Sequence, residues 1–344
     1  MRKYPKKPTH LRIEIAGMFS CAVLLWALLM ASSPVPTRAA KQEQQGEVVA
    51  NLAAGHVLFC VTKTAIIVAA TQETVEKGSR EPAVLAVSNR RIGVLLGAVE
   101  WNTTAKGAKA VRLDAELPTV AANATRRTGD KTIDRGQPSD IEEIGVGMLE
   151  TLRPLVDQIH HKLDLKPDES LTELLLADYV EDYGPEIWRL DFRVKQEDLG
   201  NDYWTTRVLR PAYTQLYPPE KGQPRTFVEV QYPQTLSQLG LLERLGRHDP
   251  SVESIRNASP EFTKATTLVV TGLSEKADAM PIVDFMRAAM PVVSGSNGPL
   301  VMALLDGSRG FQWVLAPQEK LPAPTETKPE EPGAPSLRGY KPSP

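Results

Sequence analysis

The stretch Gly55 to Ser79, GHVLFCVTKTAIIVAATQETVEKGS, sets the tightest limit on the fold. Two runs of apolar and β-branched residues, His56–Val61 and Thr64–Ala70, flank the polar pair Thr62-Lys63. That pattern predicts a β-hairpin, followed by a polar loop over Thr71–Pro82. The runs are almost continuously apolar, so both faces of these strands must be covered. Ala83–Val87 and Arg91–Leu96, joined by SNR, predict a second hairpin of the same kind. Covering two such hairpins takes a sizeable core. A chain of 344 residues with 42% hydrophobic and 24% charged residues can supply one.

The rest of the chain reads in blocks. Asn102 to Pro138 is rich in Thr, Ala, Gly and basic residues and predicts a long loop inserted at 102–138. Ser139 and Glu142 have capping-box spacing. Ile141, Ile144, Met148, Leu152, Leu155, Ile159 and Leu163 then recur on one helical face, with a kink or division at Pro154. Ser170 and Glu173 repeat the capping-box spacing, which predicts a second helix over Leu171–Val180.

EIWRLDFRVKQ alternates. Trp188, Leu190, Phe192 and Val194 take one face of a strand, and Arg189, Asp191, Arg193 and Lys195 take the other, the wet one. Tyr203–Tyr213 and Thr226–Tyr232 continue as strands. Thr235–Gly246 and Val252–Lys264 read as helices, and Thr266–Thr271 as a short β run. Ser274 is placed to cap a helix reaching Val293, with Ile282, Phe285, Met286 and Ala289 inward. Leu300–Leu305 and Phe311–Leu315 close the pattern as a hairpin around DGSRG. Strands and helices segregate, so the expected class is α+β with mostly antiparallel strands.

The two ends differ from this body. Residues 1–40 hold six Lys/Arg against one Glu, around the uncharged apolar run Ile15–Ala31 and the small-residue stretch SSPVPTRAA. This is the order of a signal peptide cut after Ala39 or Ala40, or of an N-terminal anchor if uncleaved. The expected location is therefore exported, periplasmic or extracellular. The membrane is touched only through residues 15–31, and only if they are retained. A polar linker occupies 41–49. Eight of the 28 prolines fall in 317–344, which predicts a disordered tail. The remaining body is mildly acidic, which argues against nucleic acid as a partner. After cleavage Cys60 is the last cysteine, so no internal disulfide is expected.

Residues 55–101 resemble the N-terminal part of proteasome β-type subunits, members of the N-terminal-nucleophile (Ntn) hydrolases. The pieces that carry the resemblance are AIIVAAT, Ala65–Thr71, and AVLAVSNRRIGVLLGAVE, Ala83–Glu100. The later order of helix pair, strands, helices and closing strands agrees with that family over 50–316. The resemblance implies a four-layer αββα sandwich. It also implies a nucleophilic Thr, Ser or Cys freed as the first residue, whose own amino group acts as base, tuned by a Lys and an Asp. Carried across, the nucleophile position falls on Gly55 or His56, the aspartate position on Thr71 and the lysine position on about Ala83. Gly97 matches the family's glycine beside the active site. None of Gly55, His56, Thr71 and Ala83 is the residue the chemistry needs, so an inactive relative is implied. Cys60 would restore a nucleophile if processing exposed it, but mid-strand burial is the plainer reading.

Other groups offer less. His160-His161 point apart on a helix and suit its C-terminal dipole better than a metal. His248 stands alone. Asp178, Glu181 and Asp182 form an acidic cluster, read as a solvated helix end rather than a site. Tyr179, Tyr183, Trp188, Tyr203, Trp204, Tyr213 and Tyr217 accompany Arg189, Arg193, Arg207 and Arg210. Trp188, Arg193 and Trp204 are the candidate binding residues of that surface, although the strict alternation favours the aromatics as core and the charges as the wet face; Gly97 is a candidate through the resemblance alone. No cofactor is implied.

Three functions stay open: a non-catalytic domain for protein interaction or homo-oligomeric assembly, a secreted peptidase or amidohydrolase using Cys60, and a membrane-anchored sensor or scaffold.

Overall fold

The computed structural model describes residues 48–72, 80–103, 110–128, 140–166, 169–180, 184–219, 226–233, 239–294 and 299–317, all within the unit Gly46–Pro344. The signal or anchor segment, most of the linker and all but Pro317 of the tail lie outside the described residues. Among the described residues, no helix is long and apolar enough to cross a membrane.

The elements in order are β1 (Val48–Ala53), β2 (Gly55–Val61), β3 (Ala65–Gln72), β4 (Ala83–Ser88), β5 (Arg91–Thr103) and β6 (Val111–Arg112). Two helices follow, α1 (Leu113–Thr128) and α2 (Ile141–Val156). Next come β7 (Thr172–Val180), β8 (Gly184–Phe192), β9 (Val194–Asp198), β10 (Trp204–Val208), β11 (Ala212–Tyr217) and β12 (Phe227–Tyr232). Helices α3 (Leu241–Gly246), α4 (Pro250–Arg256), α5 (Pro260–Val270) and α6 (Ala279–Ser294) precede β13 (Leu300–Asp306) and β14 (Gly310–Leu315).

The fold is α+β, and among the described residues every ladder between two strands is antiparallel, with one isolated parallel bridge from Ala53 to Arg80. One sheet has seven strands, in the order β1-β5-β7-β8-β11 with β4 and β6 also on β5. The other has five, in the order β12-β2-β3-β13-β14, and β9–β10 form a separate ribbon. Three apolar cores divide the side chains. Leu174, Leu176, Leu190 and Phe192 pack with α1 and α2 on one face of the larger sheet. Leu175, Ala177 and Ile187, on the other face, meet Val57, Phe59, Val68 and Ala70 of the smaller sheet. Leu58, Ile67 and Ala69, on that sheet's far face, pack with α3 to α6. Strand alternation assigns successive residues of β2, β3 and β7 to different cores, which is why those strands are apolar throughout.

The expected hairpins at β2–β3, β4–β5 and β13–β14 are present. Ile282, Phe285, Met286 and Ala289 are fully buried on α6, as the periodicity requires.

Four expectations need correction. Leu171–Val180 is strand β7, not a helix. Its Leu-rich run has helical propensity, but a position between β5 and β8 buries both faces, and tertiary packing overrides propensity. Asp178 therefore lies on a strand and not on a shared helix face. The region 102–138 is not simply an inserted loop, because α1 occupies Leu113–Thr128. Its Leu113, Leu117, Ala121 and Ala124 are buried at helical spacing, and the small alanines hid the stripe.

Thr266–Val270 is helical rather than β and forms the end of α5, with Thr271 as its C-cap. Ser259 caps that helix by accepting from Phe262 N at 3.1 Å, and Pro260 opens it. The expected helix Val252–Lys264 is consequently broken between α4 and α5. Finally, α2 stops at Val156, two residues after Pro154, so Ile159 and Leu163 continue its core from a loop.

Smaller shifts follow. Val48 and Val49, assigned to the linker, begin β1. Tyr203–Tyr213 is divided between β10 and β11. Ser274 does not cap α6; its hydroxyl donates to the Val61 carbonyl at 2.8 Å and ties a 3-10 turn to the end of β2. Ser139, Glu181, Asp182 and Tyr183 lie outside the described residues.

Candidate site at one end of the two sheets

The register brings Gly55, His56, Thr71 and Gly97 to one end of the two sheets. His56 on β2 stands opposite Thr71 on β3 and Gln231 on β12. Gly55 stands opposite Tyr232. A Cβ added to Gly55 would lie 3.1 Å from Pro82, the neighbour of Ala83. On the larger sheet Gly97 has φ +78°, and a Cβ there would meet the Leu171 carbonyl and lie 3.0 Å from the Tyr232 ring. Only glycine is at ease in that conformation and at that approach. Tyr232, the ladder partner of Gly55 on the smaller sheet, thus sets its ring against Gly97 of the larger one. Its hydroxyl donates to the Ser170 carbonyl at 3.0 Å, and burial pushes its pKa upward.

Among the described residues, Gly55 and His56 are preceded by chain that is itself part of the fold. Ala54 precedes Gly55, and its N–H donates to the Arg80 carbonyl at 3.0 Å. Upstream, β1 pairs with β5 from Val48 opposite Thr103 to Ala53 opposite Gly97. His56 is fully buried, facing the helices beyond the smaller sheet, with Nδ1 3.9 Å from Glu229 Oε1. The same Glu229 oxygen accepts from Leu241 N at 2.8 Å and caps α3. Thr71 is buried, and Ala83 is half-buried opposite Leu95. Cys60 is fully buried in mid-strand, and desolvation pushes its thiol up to about 12. A thiol in that state is neither ionised nor reachable.

Beneath Tyr232 is a polar cluster that sequence reasoning did not assemble. Arg189 on β8 donates from Nη2 to Glu173 Oε1 at 2.9 Å and from Nε to Asp191 Oδ1 at 2.7 Å. Ser170 Oγ donates to Asp191 Oδ1 at 3.3 Å. Glu173 and Asp191 face each other across β7–β8, on the side that looks toward the smaller sheet. The polar face expected to be wet is thus partly enclosed between the sheets at Arg189 and Asp191, while Lys195 on the ribbon is exposed. The capping-box spacing of Ser170 and Glu173 conceals Glu173 in the sequence. The usable signal was the Arg189-x-Asp191 alternation beside a glutamate in a Leu-rich strand.

A cleft of 670 Å³ opens beside this end. Val48, Ala50 and Leu52 of β1, Trp101 of β5, Leu163 and Leu171 line it, and Tyr232 closes one wall. His161, Lys166 and Glu169 contribute polar groups. Its volume lies in the range of small-molecule pockets, and its lining is mostly apolar.

The remaining candidates scatter. Trp188 and Tyr213 pack against the α1–α2 core, Trp188 Nε1 donating to Glu186 at 2.9 Å and the Tyr213 hydroxyl to the Glu142 carbonyl at 3.3 Å. Tyr217 and Tyr179 belong to the core between the sheets. Arg193 is half-buried just past β8. Trp204, on the ribbon, lies under Lys162 at 5.6 Å, and Tyr203 stacks on His160 at 4.9 Å. Arg207 and Arg210 are exposed. These aromatics therefore do not form one recognition surface. His160 and His161 sit beyond α2 and cannot serve its dipole. His248 is exposed, with Nδ1 3.0 Å from Glu253. Asp178 is no solvated helix end: it is buried and paired with Arg91, which also reaches Asp140 at 2.7 Å. Burial raises the Asp178 pKa, and Arg91 opposes that shift.

No protein-family model matches this chain, and no curated protein matches it.

Proposed function

We propose that the chain is an exported, non-catalytic domain of the proteasome-like Ntn kind, acting in protein interaction or assembly. On this reading the two sheets and their flanking helices make a four-layer αββα sandwich. The three separate cores and the antiparallel pairing support that layering. The apolar cleft beside Tyr232 is the surface offered to a partner.

One observation carries the non-catalytic part. The segment just before Gly55 is woven into the larger sheet by six residue pairs along β1–β5. Releasing Gly55, His56 or Cys60 as a first residue would sever β1 covalently from the strand it leads into, and at Cys60 would cut β2 itself. It would also yield a glycine, a buried imidazole or a buried thiol as the new terminus.

The test is covalent labelling. Peptide epoxyketone and β-lactone probes, which react with N-terminal hydroxyl and thiol nucleophiles, should leave the intact mass unchanged. An adduct mapping to residues 55–60 would overturn the reading. Sedimentation velocity separates its two forms: a mass above the monomer supports self-assembly, and a monomer directs the search to a different protein.

A further inference from the structure

We propose that Glu173 is a pH-operated latch: uncharged, it lets β7 and β8 close beneath Tyr232, and charged, it loosens that wall of the cleft. This goes beyond the proposed function and does not depend on it.

The geometry is specific. Glu173 is 1% exposed, and one of its oxygens accepts from Arg189. The other, Oε2, is buried without a hydrogen-bond partner. Arg189 is shared, because its Nε holds Asp191 at 2.7 Å. Asp191 also has the Ser170 hydroxyl at 3.3 Å, so it is the better-served carboxylate. A second full charge on Glu173 would sit in a low-dielectric space with half of its oxygens unserved, which is expensive. A proton on that carboxyl removes the expense.

The charged and titratable groups around it are few. Arg189 and Asp191 face it from β8, and Arg193 acts from just beyond that strand. From the other sheet β12 brings Tyr232, which feels both Glu173 and Glu169. Burial is the largest influence on Glu173 and lifts its pKa to about 7; Arg189 pulls it down, Asp191 pushes it up and Arg193 lowers it. The link to the cleft runs through Tyr232, whose hydroxyl bonds the Ser170 carbonyl three residues before Glu173.

The sign follows from linkage. A carboxyl whose folded pKa is raised stabilises the fold fully below its ordinary pKa. That stability is lost as pH rises through the folded value. For Glu173 the window runs from 4.5 to about 7. Asp178 and Glu186 shift in the same sense, so the readout must be a difference between two proteins.

The experiment compares the full chain with Glu173→Gln, by urea unfolding from pH 5 to pH 8 and amide exchange along β12. The folding equilibrium constant of the unaltered protein should fall by roughly 100-fold more than that of the variant across this range. Exchange at β12, corrected for its intrinsic pH dependence, should quicken only in the unaltered protein. Parallel stability profiles would overturn the latch, and so would a stability difference with no change at β12. Should Glu173→Gln fail to fold, carbon NMR titration of the Glu173 carboxyl decides. A midpoint near 7 supports the proposal, and an ordinary midpoint near 4 to 5 sinks it.

Discussion

Arg189 holds Glu173 with one arm of its guanidinium and Asp191 with another, at 2.9 and 2.7 Å, across the β7–β8 pair. One cation serves two carboxylates whose side chains are 1% and 7% exposed. Such a site has little independent tolerance for loss of its centre. Arg189→Met should cost about 3–5 kcal/mol, because it leaves buried acids unpaired. Adding Asp191→Asn should recover part of that loss, since the carboxylate that Arg189 leaves stranded is removed, whereas Glu173 can take up a proton. Urea unfolding at pH 7 reads both. A loss below about 1 kcal/mol for Arg189→Met, the range of exposed pairs, would place the cluster in solvent rather than between the sheets.

Helix α1 makes a second claim that can be checked simply. Leu117 is fully buried in the core shared by α1, α2 and the larger sheet. Leu117→Ala should lower stability by about 2–5 kcal/mol, the range for a large-to-small change in a core. If this stretch were a loop lying over the surface, the same change would stay within about 0.5 kcal/mol. Chemical denaturation separates the two outcomes without a functional assay.

Cys60 supplies the third. With its thiol pushed up to about 12, the thiolate fraction at pH 8 is on the order of one in ten thousand, and the side chain is fully buried. Iodoacetamide at pH 8 should leave Cys60 unmodified in the native protein and modify it in guanidinium, as read by peptide mapping. Fast native labelling would restore the cysteine-nucleophile alternative.

These predictions fall where the sequence was least and most explicit. The hairpins β2–β3, β4–β5 and β13–β14 were legible because unbroken β-branched runs with short polar breaks have few other uses. The inward face of α6 was legible from its 3.6-residue period. β7 was not. TELLLADYV contains good helix formers, and a strand buried on both faces has no alternation to betray it. Helix α1 was hidden for the opposite reason: among its described side chains, two of the four buried ones are alanines, which barely raise the apolar signal.

The site was half legible. Gly55, His56, Thr71 and Gly97 lie at one end of the sheets, and the hairpin pattern alone already made His56 and Thr71 neighbours. The Glu173–Arg189–Asp191 cluster depends on β7–β8 register, and a wrong secondary structure for β7 put it out of reach. Tyr232 drew no notice because its neighbours come from three separate parts of the chain.

The most direct test of the central claim is the first residue of the mature protein, found by N-terminal sequencing and intact mass of material purified under native conditions. A domain that keeps β1 in its sheet must begin upstream of Val48, and that start is the predicted result. A start at Gly55, His56 or Cys60 would mean that β1 is removed and the end of β2 exposed, which would contradict a non-catalytic domain.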